Sequence, residues 1–178
     1  MRGLFCFIEP RLDMRTRLMS PQQVAKTLDR LSYEIVERNR GVESLAVLGI
    51  KSSGAVLAHH LVGFINQIEQ TGIISVDLDV AAFRDDTPYS GSGTALPDLT
   101  DKDVILVDDV LFTGRTARAA LDAVVRSGRP RSIQLLVLID RGHREYPIQP
   151  DYVGRVMPTK HRERVEVDTT ELIVDIVE

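Results

Sequence analysis

Short runs of apolar residues, each leading through a glycine-bearing turn into a stretch with helical apolar spacing, recur along this chain. One run, Leu45–Leu48, leads through GIKSSG into a predicted helix over Ala55–Glu69. Another, Val104–Val107, leads through DDVLFTGRT into a predicted helix over Arg115–Ser127. Runs without polar alternation are typical of strands buried on both faces, as in parallel sheets. The pattern therefore predicts an α/β fold with a central, mostly parallel sheet flanked by helices.

The remaining elements follow from local signals. A helix should begin after Ser20 and run to about Arg38, because Ser-Pro-Gln-Gln offers an N-cap, a proline at the first helical position and a capping-box glutamine. The stretch from Arg84 to Lys102 lacks periodicity and is expected to be a mobile lid loop. Further strands are predicted at Val76–Phe83, Ile133–Ile139 and Tyr152–Val153, with weak edge strands within residues 165–177.

The chain of 178 residues has the length of one ordinary domain. We expect an N-terminal extension over 1–19, with Met14 as an alternative start, and a single domain over 20–178 that carries a small C-terminal hood. The lone cysteine, Cys6, and four histidines without metal-ligand spacing argue against disulfides and structural zinc, and favour a cytoplasmic protein. No apolar stretch reaches the length of a membrane span.

Two adjacent carboxylates, Asp108 and Asp109, follow the run Val104–Val107 and precede a Thr-Gly-Arg-Thr turn. Ligands of open α/β sheets bind at the carboxyl ends of strands, and a helix N-terminus after a glycine turn presents N–H groups to an anion. Such a site suits a phosphorylated sugar, whose hydroxyls donate to the acids. The alternative is that the acids only cap the next helix. The patterns of a Walker loop and of a dinucleotide fingerprint are missing.

The stretch VILVDDVLFTGRT (104–116) resembles the signature of the type I phosphoribosyltransferases, in which two acids flanked by apolar residues precede Thr-Gly-x-Thr. The similarity extends along nearly the whole chain to one branch, the bifunctional pyrimidine operon attenuation proteins that are also uracil phosphoribosyltransferases. The supporting blocks are YEIVERNRG (33–41), LGIKSSG (48–54), FRDD (83–86), GRPRSIQLLVLIDRGHRE (128–145) and PIQPDYVGR (147–155).

This resemblance implies the type I phosphoribosyltransferase fold and a reaction of uracil with phosphoribosyl pyrophosphate (PRPP) to give uridine monophosphate (UMP) and diphosphate. It also implies that Mg²⁺ arrives with PRPP, so that the protein needs no metal site of its own. The signature is common to purine and pyrimidine transferases. A plain phosphoribosyltransferase that acts on another base and binds no RNA therefore stays open.

Carried over to this chain, the resemblance gives catalytic roles to Arg84 and to Asp108 and Asp109, which would bind the ribose hydroxyls. The base would lie near Asp140 and Arg141, with a later substrate contact near Val165. The diphosphate would contact Lys51, Ser52 and Ser53, and the 5′-phosphate Val110, Leu111, Phe112, Thr113, Gly114, Arg115 and Thr116.

Members of the branch also bind the leader mRNA of pyrimidine operons when a uridine nucleotide is bound, which implies a second function. A net charge of −4 argues against bulk electrostatic attraction to RNA, so binding would need a local basic face. The candidates for that face are Arg30, Arg38, His143, Arg144 and Lys160, together with Arg162 and Arg164. A homodimer or higher homo-oligomer is also expected.

This chain departs from the branch at two places. It has Tyr33 where the branch usually carries histidine, and Ser52-Ser53 where the branch usually carries Thr-Arg. The first change removes cationic character from the proposed RNA face. The second removes a bidentate cation from the diphosphate loop and leaves Lys51 as its charge. Three interpretations stay open: an enzyme with RNA regulation, an enzyme alone, and a nucleotide-sensing regulator with weakened catalysis.

Overall fold

Eight strands and three α-helices make up the computed structural model, which describes residues 14–84 and 95–178. The strands are β1 (Arg15–Met19), β2 (Leu45–Ile50), β3 (Ser75–Leu78), β4 (Asp103–Leu111), β5 (Ser132–Asp140), β6 (Tyr152–Val156), β7 (Arg164–Asp168) and β8 (Ile173–Val177). The helices are α1 (Pro21–Asn39), α2 (Ser53–Glu69) and α3 (Arg115–Arg126).

A five-stranded parallel sheet in the order β3-β2-β4-β5-β6 forms the centre of the molecule. The apolar runs of β4 and β5 are buried on both faces, as the absence of polar alternation predicted. Helices α1 and α2 pack on one face, and α3 covers the other, so the sheet lies between two apolar clusters. The predicted α/β fold is confirmed.

Helix α1 begins directly after Ser20, the N-cap that the sequence predicted. The Gln23 backbone N–H donates to Ser20 Oγ at 3.4 Å, and the Ser20 N–H donates to the Gln23 side chain at 2.8 Å, which completes the capping box. Its apolar face, which includes Leu28, Leu31 and Ile35, is fully buried. Among the described residues, no helix combines the length and apolarity needed to cross a membrane.

Strands β1, β8 and β7 form a small antiparallel sheet in that order. Strand β1, which lies within the stretch expected to be an N-terminal extension, was not predicted. Its sequence RTRLM carries polar residues at three exposed positions, and it is held by pairing with β8 and by an ion pair between Arg17 and Asp175 at 2.6 Å. Residues 1–13 lie outside the described residues.

Two predicted strand bounds are wrong. The strand predicted over Val76–Phe83 ends at Leu78, because Asp79 accepts a hydrogen bond from the Ala81 N–H at 2.9 Å and turns the chain into a 3₁₀ helix, Ala81–Phe83. The strand predicted over Val104–Val107 continues to Leu111, because its pairing with β5 extends that far. Of the lid expected over Arg84–Lys102, residues 85–94 lie outside the described residues.

Candidate active site

The acid pair lies on a part of β4 that projects beyond its neighbour β2. Pairing between β2 and β4 ends at Gly49 and Val107, whereas pairing between β4 and β5 continues to Leu111. Asp108 and Asp109 therefore belong to the strand itself rather than to the turn after it. After β2 the chain moves to β3 on one side and then returns to β4 on the other, so this is the switch point at which open α/β sheets bind ligands.

Burial is the main influence on the Asp108 carboxyl group. The residue is 7% exposed, and this burial, together with the charge of Asp109, raises the pKa of Asp108 well above its ordinary value, against the opposing charge of Arg84. The Asp109 N–H donates to Asp108 Oδ1 at 3.0 Å, and the Val110 N–H donates to Asp109 Oδ1 at 2.7 Å. A ligand that brings hydroxyl donors would offset the cost of placing two carboxylates side by side here.

The turn after β4 leads directly into the N-terminus of α3. Gly114 has a left-handed φ of 89°, a conformation that glycine adopts without strain, and α3 has no side-chain cap. An uncapped helix N-terminus presents N–H groups and a positive dipole to an anion. A cavity of about 320 Å³ lies beside it, lined by Arg84, Asp108, residues 110–116 and Ala117. The predicted phosphate loop and one of the predicted acids therefore share one cavity.

The two arginines of this cavity differ in their contacts. Arg84 extends from the end of the 3₁₀ helix, and its Nη1 donates to Thr116 Oγ1 at 3.3 Å, which places its charge beside the first turn of α3. Arg115 instead pairs with Glu145 at 2.7 Å, and its guanidinium lies 5.4 Å from the centre of the Tyr146 ring. Both arginines line the cavity.

The predicted diphosphate loop approaches the acid pair because two glycines permit close contact. A Cβ at Gly54 would lie 2.4 Å from the Val107 carbonyl oxygen and 3.1 Å from Asp108 Cα. A Cβ at Gly49 would lie 2.5 Å from Ala55 Cα. The start of α2 therefore lies directly against β4, and like α3 it has no side-chain cap. Sequence reasoning interpreted Gly54 only as a turn residue and missed this packing role.

Lys51 and Ser52 form the short connection that leads into α2, and Ser53 is the first residue of that helix. Lys51 and Ser52 are exposed and Ser53 is half-buried. The Lys51 backbone N–H donates to the Leu78 carbonyl at 2.9 Å, which ties the connection to the end of β3. Lys51 supplies the positive charge of this loop, and the two serines contribute hydroxyl groups only.

Arg141 and Val165 connect the site to the small sheet. The Arg141 guanidinium lies 4.0 Å from the centre of the Phe112 ring and donates to Thr159 Oγ1 at 2.9 Å and to the Glu163 carbonyl at 2.6 Å. Its burial lowers its pKa, an effect that the Glu163 charge opposes. Val165 lies in β7 and packs against the main core. Arg141 therefore packs against a residue that lines the cavity, whereas Val165 packs against the core.

The residues proposed for an RNA face fall into two groups. Arg30 and Arg38 lie on α1 beside β6, where Arg30 pairs with Glu34 and Arg38 pairs with Asp151 at 2.8 Å. The exposed side chain of Tyr33 belongs to the same helix.

The second group lies beside the phosphate loop and the small sheet. His143 Nε2 lies 2.5 Å from the Thr159 carbonyl oxygen, Arg144 pairs with Asp140 at 2.7 Å, and Lys160 Nζ lies 3.3 Å from Glu163. These side chains have acidic or carbonyl partners, so the structure does not join them into one uninterrupted basic patch. Arg162 and Arg164 are exposed.

The parallel sheet, with an acid pair at its switch point and a cavity beside it at the N-terminus of α3, is that of a type I phosphoribosyltransferase. A family model described as the phosphoribosyl transferase domain matches residues 15–167, and the chain belongs to that family.

Its curated relatives define the branch. The chain is 49% identical over 167 residues to the bifunctional protein PyrR of Brevibacillus brevis, across 90% of this chain and 93% of that protein. It is 46% identical over 164 residues to the bifunctional protein PyrR of Clostridioides difficile, across 89% and 93%. The resemblance to the PyrR branch is thus confirmed.

The solved structures agree on the fold. A hypoxanthine-guanine phosphoribosyltransferase from Bacillus anthracis superposes with a TM-score of 0.72, across 93% of this chain and 98% of that chain, at 19% identity. At that identity the likeness shows the common fold and carries no information on the base.

Proposed function

We propose that this chain transfers the 5-phosphoribosyl group of PRPP to uracil, and that it also regulates pyrimidine operon expression by binding leader mRNA in a UMP-dependent manner. One observation carries the first part: the cavity that joins Asp108 to the uncapped N-terminus of α3. It offers acceptors for ribose hydroxyls and donors for a phosphate within one space. The bifunctional relatives at 43–49% identity support the second part.

In this proposal the protein positions the substrate and stabilises charge. The bond between ribose C1 and the diphosphate oxygen breaks, and a bond from C1 to uracil N1 forms as the N1 proton passes to the departing diphosphate or to water. Asp108 and Asp109 hold the ribose hydroxyls and offset positive charge at C1, and the loop 110–116 fixes the 5′-phosphate. Mg²⁺ enters with PRPP, since this ion commonly binds through one or two carboxylates and substrate phosphates while keeping several waters.

The diphosphate would bind at Lys51, Ser52 and Ser53, close to the start of α2. The packing of Gly54 on β4 supports this placement, because it brings that loop next to Asp108. Ser53 provides no guanidinium to a departing diphosphate, which favours a second candidate function: a nucleotide-sensing regulator in which catalysis is weak. The two candidates differ in turnover and agree on UMP binding.

For RNA, we propose the α1 surface that carries Arg30 and Arg38, together with His143, Arg144 and Lys160. Contacts to phosphates there would make binding depend steeply on salt concentration. A homodimer or higher oligomer would extend such a surface through symmetry. The proposed setting is the cytoplasm, where PRPP and transcripts are available.

The test is a pair of measurements on the purified chain. Diphosphate release is followed with Mg²⁺ and PRPP in the presence of uracil, with hypoxanthine as the control base. Retention of a pyrimidine operon leader RNA is then measured with and without UMP, beside a scrambled RNA of equal length. Uracil-dependent release with UMP-dependent RNA binding supports both activities.

Two other outcomes choose between the alternatives. UMP-dependent RNA binding without turnover favours the regulator with weak catalysis. Release with hypoxanthine but not with uracil refutes the proposed base.

A further inference from the structure

Arg144 makes an unusually large set of contacts around the phosphate loop. Its Nη1 lies 3.0 Å from the Phe112 carbonyl oxygen, 3.2 Å from that of Gly142 and 3.4 Å from that of Leu111. Its Nε donates to the Ile148 carbonyl at 3.0 Å, and its Nη2 donates to Asp140 Oδ1 at 2.7 Å. The planar fork of an arginine can serve this many acceptors at once.

The same segment of chain holds the next carbonyl of the loop. The Thr113 carbonyl accepts from the backbone N–H groups of Glu145 and Tyr146, at 2.9 and 3.1 Å, and the Leu111 carbonyl also accepts from the Arg141 N–H at 3.1 Å. Three consecutive loop carbonyls are therefore bound to residues 141–146. In a trans peptide the N–H points opposite to the C=O, so the N–H groups of the following residues are directed away from that segment.

The charge of Arg144 is already neutralised locally. Asp140 pairs with it at 2.7 Å, and the two side chains are only 20% and 17% exposed. A guanidinium paired in this way adds little net positive potential at the 5′-phosphate. Its geometric effect on the loop is the larger one, because anion binding by backbone N–H groups depends on their orientation.

We propose that Arg144 is a positioning residue for the 5′-phosphate: it fixes the Leu111 and Phe112 carbonyls so that the loop presents its N–H groups to the phosphate. This rests on the proposed function, because the phosphate in question is that of PRPP and UMP. It gives Arg144 a role in the architecture of the active site that is separate from its proposed contact with RNA.

The test compares UMP with uridine, since their affinities differ by the contribution of the phosphate. In Arg144→Ala we expect UMP to bind about tenfold or more weakly, with uridine affinity changed by less than about twofold, because a displaced loop loses its fit to the phosphate. Arg144→Lys keeps the charge and the pair with Asp140 but lacks the fork, so it should lose most of the same affinity. It also carries the test if the alanine variant does not fold.

Amide hydrogen exchange of residues 111–116 in the free protein gives an independent measurement. Loss of the anchor should raise exchange there by about tenfold, since the loop opens more often. Arg131→Ala is the matched control: Arg131 donates to the Asp101 carbonyl at 2.8 Å and lies 3.6 Å from Asp103, at the opposite end of the sheet. That variant should leave both measurements unchanged.

Wild-type ratios of UMP to uridine affinity in Arg144→Ala, or in Arg144→Lys, would overturn the proposal. If the wild-type chain itself does not distinguish UMP from uridine, the proposed function fails. Hydrogen exchange then decides the anchoring role: a rise confined to 111–116 in the Arg144 variants supports it, and unchanged exchange overturns it.

Discussion

Replacing Gly54 with alanine tests whether the diphosphate loop must lie against the acid pair. The new Cβ would be 2.4 Å from the Val107 carbonyl oxygen, and ordinary contact begins at 3.4 Å, so the start of α2 would have to move by about 1 Å. Overpacking of this kind costs about 1–3 kcal/mol, which in a chain of this size lowers Tm by about 2–12 °C. A misplacement of about 1 Å at a reacting centre costs about 100-fold in rate.

The assays are thermal unfolding and uracil-dependent diphosphate release, reported as kcat/KM for PRPP. Gly63→Ala is the matched control in the same helix, because a Cβ there meets nothing within 4 Å. That variant should gain about 0.5–1 kcal/mol from helix propensity and keep its activity. The reasoning is refuted if Gly54→Ala keeps the kcat/KM and Tm of the wild type, or if Gly63→Ala loses activity to the same degree.

Three further predictions concern the acids and the diphosphate loop. Because burial raises the pKa of Asp108, the folded chain keeps a proton that the unfolded chain releases above about pH 4, so stability should fall as pH rises from there. Asp108→Asn should remove that fall. The measurement is Tm from pH 4 to 8, and equal slopes of Tm against pH in the wild type and the variant would contradict the prediction. Asp109→Asn should lower kcat by about 100-fold with little change in Tm, and steady-state kinetics with near-normal turnover would exclude its role. Ser53→Arg should lower the KM for PRPP by about fivefold or more by restoring a bidentate cation, and an unchanged KM would place the diphosphate elsewhere.

Much of the fold follows from the sequence because its strands are buried on both faces. The continuous apolar runs of β4 and β5 can be buried only if helices cover both faces of the sheet. The N-cap at Ser20 marks the start of α1 directly. The position of the candidate phosphate loop at the end of β4 was predictable for a related reason. Its acids and its glycine lie within a few residues of each other in the sequence, so local chemistry indicated the site.

Features that depend on distant partners were not predictable in this way. Strand β1 has a largely polar sequence, and it forms because it pairs with the edge of β8. Asp108 and Asp109 belong to β4 because β5 extends the pairing to Leu111. The contacts of Arg144 with Leu111 and Phe112 join residues about 30 positions apart in the sequence. From the sequence alone, an arginine in a charged segment is expected to be an exposed surface residue.

The phosphate half and the diphosphate half of the proposed site are held by different contacts. Turnover and UMP binding can therefore be lost separately. The phosphate half is held by hydrogen bonds from residues 141–146 to three loop carbonyls, and none of these involves the diphosphate loop. The diphosphate half depends on the close approach of Gly54 and on Lys51. UMP contains a 5′-phosphate and no diphosphate. Changes at Ser53 should therefore alter turnover while UMP binding is retained. Changes at Arg144 should alter both, since in the proposed site PRPP and UMP both place their 5′-phosphate on the loop that Arg144 holds.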